Sequence, residues 1–127
     1  MRRSIVNMLA AGCMAFLAGC LFPRYTTIGE EFPSEQKGTM TLAQASAIVR
    51  DALANPPAGR RPSHPGDRAL GKYTTSIRLR THNRTGYVLV EVKEGPRVTM
   101  EFYVRNQADA NKFIAAVWRL RQEYLDK

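Results

Sequence analysis

The segment Ser63-His64-Pro65-Gly66-Asp67 holds the three residue types of a hydrolase triad in one short run. In a triad a base takes the serine proton, a carboxylate orients that base, and the three groups come from separate elements around a shaped pocket. Near neighbours in a Pro-rich stretch do not reach those positions, so the segment predicts a loop histidine and not a catalytic one. His64 and His82 have no acidic or second-histidine cluster beside them of the kind a metal site requires. Glu91 and Glu101 fall on outward positions of adjacent predicted strands, where basic neighbours make cross-strand charge balance a better account than a paired acid and base. No glycine-rich phosphate loop occurs. The expectation is therefore no catalytic residue, no metal and no cofactor.

Of the two cysteines, Cys20 carries the stronger signal. Arg2 and Arg3 give a positive start, and Met8 to Gly19 form a nearly unbroken apolar run, shorter than the roughly 20 residues a spanning helix needs. The run ends in Leu17-Ala18-Gly19-Cys20, which resembles the lipobox of bacterial lipoprotein precursors. Ala10-Ala11-Gly12-Cys13 is also lipobox-like, but it lacks the large aliphatic first residue and has too little apolar chain before it.

The resemblance implies that Cys20 receives a diacylglyceryl group on sulfur, that the peptidase cuts before it, and that the new amino terminus is acylated. Residues 1–19 are then a signal peptide. Leu21, where inner-membrane retention usually goes with Asp, implies delivery to the outer membrane, facing the periplasm. Cys13 would leave with the signal and the sulfur of Cys20 would become a thioether, so no disulfide or thiol nucleophile is expected in the exported part.

The net charge is +8, from 19 basic and 11 acidic residues. Without Arg2 and Arg3 the exported chain keeps 17 basic residues and a charge of +6. Anchoring does not need that charge. Acyl chains contribute about 0.8 kcal/mol per buried methylene, against about 1 kcal/mol for a basic residue near an anionic surface. Anionic partners are plausible on charge alone.

The elements that would position these groups are few, as 127 residues carry one domain at most. Residues 20–40 read as the lipidated cysteine and a tether, extending up to roughly 60 Å at about 3.3 Å per residue. Thr41 and Gln44 have capping-box spacing, and Leu42, Ala45, Ile48, Val49, Ala52 and Leu53 share one helical face, closed by Asn55-Pro56-Pro57. A Pro/Arg-rich surface loop follows over 55–68. Alternation then predicts three strands: Tyr73, Thr75, Ile77 and Leu79 inward on the first; Val88, Val90 and Val92 on the second; Val98, Met100, Phe102 and Val104 on the third.

His82 to Gly86 and Glu94-Gly95-Pro96 make the turns. A last helix is capped by Asn106 and carries Ala110, Phe113, Ile114, Val117, Trp118, Leu120, Tyr124 and Leu125 on a broad apolar arc, with Arg121 inside it between Val117 and Leu125. Arg121 is expected to lay its stem on the core and send its charge to water, or else to pair with a buried acid. The fold class is α+β: a small two-layer domain over 41–127, a helix, a three-stranded antiparallel meander and a C-terminal helix.

With both helices on one side, the opposite sheet face would show Arg78, Arg80, Arg84, Tyr87, Leu89, Arg97, Tyr103 and Arg105. Aromatic and arginine side chains together suit an interaction surface. The expected function is a membrane-anchored envelope lipoprotein, held by lipid on Cys20. Its domain is a non-catalytic binding or structural module for an envelope protein or anionic envelope polymer, not for nucleic acid. The competing expectation is an accessory enzyme with its site in loop 55–68.

Overall fold

The computed structural model describes residues 24–34 and 39–125. The signal segment, Cys13 and Cys20 lie outside the described residues. The elements are β1 (Tyr25–Glu31), α1 (Leu42–Ala54), α2 (Asp67–Tyr73), β2 (Ser76–His82), β3 (Val88–Glu94), β4 (Arg97–Val104) and α3 (Gln107–Leu125). The strands form one antiparallel sheet in the order β1-β2-β3-β4, and three helices cover one of its faces.

The class is α+β as the pattern predicts, with two corrections. The sheet has four strands and not three, because Tyr25–Glu31, placed in the tether, pairs with β2 from Tyr25↔His82 to Glu31↔Ile77. Folded structure therefore begins well before Thr41. A bulge between Thr27 and Gly29 takes Ile28 out of register and leaves it exposed, so β1 shows no apolar alternation. The second correction is α2: Asp67–Tyr73 is helical, Tyr73 is exposed, and the strand expected from Tyr73 starts at Ser76. The loop accordingly ends at Gly66.

The caps form as read. Thr41 Oγ1 accepts from the Gln44 amide at 3.1 Å while Gln44 Oε1 accepts from the Thr41 amide at 2.9 Å. Asn106 Oδ1 accepts from the Asp109 amide at 2.9 Å and opens α3. Gly95 takes φ 62° at the first central position of the two-residue β3–β4 turn, a conformation that favours glycine.

Ile77, Leu79, Val88, Val90, Val92, Met100, Phe102 and Val104 bury the sheet's inner face against Ala45, Val49 and Leu53 of α1 and Ala110, Phe113, Val117 and Leu120 of α3. Phe102 meets Phe113 edge-to-face at 4.9 Å. Both shorter helices pack along α3. Two arginines of α3 fasten the chain around them: Arg119 Nε donates to the Met40 carbonyl at 2.8 Å, and Arg121 Nη1 donates to the Thr74 carbonyl at 2.7 Å. Arg121 thus does not reach for water alone, and among the described residues it pairs with no acid. Its charge satisfies a backbone carbonyl where α2 ends.

The Pro/Arg-rich loop runs past the edge strand β4. Gly59 lies against the Tyr103 ring, and Ser63 and Pro65 share a groove with Thr99 and Met100 at the strand's other end. Covering an edge in this way blocks pairing with another chain.

Candidate interaction surface

The sheet's outer face is built by the alternation of β2, β3 and β4, and β1 completes it. At one end Tyr25 of β1 and Tyr103 of β4 meet hydroxyl to hydroxyl across the two inner strands. His82 stands edge-on between them, its ring 5.3 Å from Tyr25 and 6.2 Å from Tyr103. His82 Nδ1 accepts from the Arg84 and Thr85 amides, which holds the β2–β3 turn. The Arg80 guanidinium lies over the Tyr25 ring at 5.0 Å. Leu89, in register with both Arg80 and Tyr103, is only 7% exposed. It does not belong to the main core, so the outer face carries a small apolar cluster of its own.

Burial, then the hydrogen bond with Tyr25, pushes the Tyr103 phenol up to about 12. The folded state then holds this proton more tightly than the unfolded chain, whose phenol titrates near 10. The stability gained is complete below pH about 10 and is lost as pH rises towards about 12. Tyr25→Phe removes the second cause and leaves the first. Ultraviolet absorbance titration should show the Tyr103 midpoint moving down yet staying above that of free tyrosine, and an unchanged midpoint would contradict the contact.

The other half of the face is a charge network. Glu91 is 4% exposed and accepts from Arg78 Nε at 3.2 Å and Nη2 at 2.8 Å, with Arg80 Nη1 at 3.6 Å. The Glu91 hydrogen bond is the main reason that the Arg78 pKa is raised. Glu30 of β1 accepts from Lys93 Nζ at 2.8 Å and Ser76 Oγ at 2.7 Å, and these bonds hold its carboxyl below the ordinary range.

The arginines and tyrosines expected on this face from the sequence therefore divide. Arg78, Arg80 and Tyr103 are tied into the face, Tyr87 is half-buried, and Arg84, Arg97 and Arg105 are exposed. Tyr25, Glu30, His82 and Lys93 join them. Their partners become visible only once β1 is placed, although Tyr25 to Ile28 has some strand character.

The loop residues form a different constellation from the expected one. Asp67 accepts from Ser46 of α1 through one oxygen and bonds His64 Nε2 at 3.1 Å through the other. His64 Nδ1 accepts from the Gly66 amide at 3.0 Å, which leaves Nε2 as the donor to Asp67. The carboxylate sits between serine and histidine, the reverse of the order in which a base activates a nucleophile. Ser63 takes no part in this chain of bonds.

Beside the face, a groove of about 310 Å³ opens between α1, the end of β4 and the start of α3. Ile48, Ala52, Pro57 and Tyr103 form its apolar part, and Asp51, Asp109, Arg105 and Lys112 its charged part. Among the described residues no cluster of three His, Cys, Asp or Glu could hold a metal, and no helix is long and apolar enough to cross a membrane.

The architecture is thus a four-stranded antiparallel meander with three helices on one face and a self-paired polar and aromatic surface on the other. No family model matches the chain, and no curated protein or solved structure matches it.

Proposed function

We propose that this chain is a lipid-anchored lipoprotein of a bacterial envelope, delivered to the outer membrane, whose folded part is a non-catalytic module. It presents the outer sheet face to an envelope protein or anionic polymer. The address rests on Leu17-Ala18-Gly19-Cys20 behind its basic and apolar run. The module reading rests on one observation above the others: the groups that could react are engaged with one another. Asp67 lies between Ser46 and His64, and Glu91 lies against two arginines. Such pairs make a rigid patterned surface and leave neither Asp67 nor Glu91 free to serve as the base of a nucleophile.

Photo-crosslinking in intact cells tests this. Glu101 is exposed on the outer face of β4, and Ala47 is exposed on the outside of α1. A photoreactive phenylalanine at position 101 should capture a discrete envelope component, while one at 47 should not, and His64→Ala should leave the capture unchanged. Capture at 47 alone, or capture lost in His64→Ala with the fold intact, would favour an accessory enzyme with its site in the loop.

A further inference from the structure

We infer that one end of the sheet is a docking surface for anionic phospholipid, an inference that rests on Cys20 being the lipid-bearing residue. Only Leu21, Phe22, Pro23 and Arg24 separate Cys20 from the first residue of β1. Five Cα–Cα steps reach at most about 18 Å, not the roughly 60 Å of a tether that runs to residue 40. That distance is about two Debye lengths at physiological salt, so whichever end of the domain carries Tyr25 lies within electrostatic reach of the headgroups.

The topology says which end it is. Tyr25 pairs with His82, Thr81 with Val88, and Val88 with Val104, so the start of β1, the turn after β2, the end of β4 and the start of α3 lie together. The Arg24 carbonyl accepts from the Asn83 amide at 2.8 Å, which binds the leash to that turn. This end exposes Arg24, Arg84 and Arg105, none of which has an ion pair among the described residues, and Lys112 lies one step further along the groove. The acids facing this end are Asp51 and Asp109, which line the groove.

At the opposite end Glu31 and Glu94 are exposed beside Arg97, Lys93 is occupied by Glu30, and α2 brings Lys72 near Glu94, so charges of both signs mix there. The chain is therefore attached at the end where Arg24, Arg84 and Arg105 stand exposed without ion pairs among the described residues. This orientation stands the sheet on the ends of its strands. It leaves the outer face, with Arg78, Arg80 and Tyr103, open to the periplasm. Arg84 and Arg105, counted from the sequence among the partner-binding residues, belong to the lipid instead.

Hydrogen exchange on the mature lipoprotein, reconstituted from membranes into vesicles, tests this. On phosphatidylcholine mixed with phosphatidylglycerol, amides of the 83–87 turn should exchange roughly tenfold more slowly than on phosphatidylcholine alone. The 94–97 turn should not change. Arg84→Glu with Arg105→Glu should abolish the difference, and unchanged exchange in the 94–97 turn confirms that the variant is folded. Equal exchange on both vesicles, with the protein still floating on each, overturns the docking while the anchor stands. Failure to float on phosphatidylcholine alone overturns the anchor, and the docking with it. Equal protection by soluble polyphosphate overturns a lipid occupant in favour of an anionic polymer.

Discussion

Gly71→Ala lowers the stability of the domain by about 2 kcal/mol, although alanine is the better helix former. Gly71 is buried in α2 where it crosses α3, and a Cβ there would stand 2.8 Å from both the carbonyl carbon and the oxygen of Leu120 and 2.8 Å from the Tyr124 ring. Tyr124 is half-buried and can turn aside. The Leu120 backbone cannot yield without shifting Val117 and Leu120, which are fully buried against the sheet. Overpacking of this kind costs about 1–3 kcal/mol and occasionally more, while replacing a helical glycine by alanine gains about 1 kcal/mol. The clash wins because its partner is backbone. A urea melt should show the midpoint falling, and a rise would mean that α2 and α3 do not approach as described.

Glu91→Ala costs a similar amount, about 2 kcal/mol, through electrostatics and not shape. Removing one partner of a wholly buried pair costs about 3–5 kcal/mol, because a charge is left without a counter-ion. Here the side chains of Arg78 and Arg80 are each 33% exposed, so water compensates part of that loss. Relief of repulsion with Glu101, directly opposite on β4, offsets a little more. Glu91→Gln, which keeps an acceptor oxygen, should lose less. The measurement is a denaturation series on both variants with Arg78→Ala and the double substitution. Coupling near zero would show that Arg78 and Glu91 are independent, contrary to the two hydrogen bonds between them.

Much of the fold follows from patterns that short sequence windows carry. Thr41 and Gln44 announce α1, alternating Val88, Val90 and Val92 mark β3, and the arc from Ala110 to Leu120 marks α3, because each reflects one face meeting one core. β1 left only the faint strand character of Tyr25 to Ile28. Its bulge at Ile28 breaks the period of two, and its glutamates find their meaning only in Lys93 and Ser76, far along the chain. α2 was hidden for a different reason: seven residues give under two full turns, and its glycine, unfavourable to helix by propensity, is there to let α3 come close.

The outward set Arg78, Arg80, Tyr87 and Tyr103 was legible from alternation. Which of them are already engaged was not, as the answer depends on β1 and on a buried Glu91 whose surroundings no local pattern reveals. Arg121 makes the same point, since its acceptor is a main-chain carbonyl and every residue type carries one.

The arrangement as a whole gives the proposed anchor its meaning: a domain whose first strand starts five positions after Cys20 is held close to whatever carries that cysteine. Mass spectrometry of the amino-terminal peptide of the mature protein addresses this most directly. The predicted peptide begins at Cys20 and bears a diacylglyceryl thioether and an acylated amine. A peptide in which Gly19 is still joined to a Cys20 with a free thiol would contradict the account.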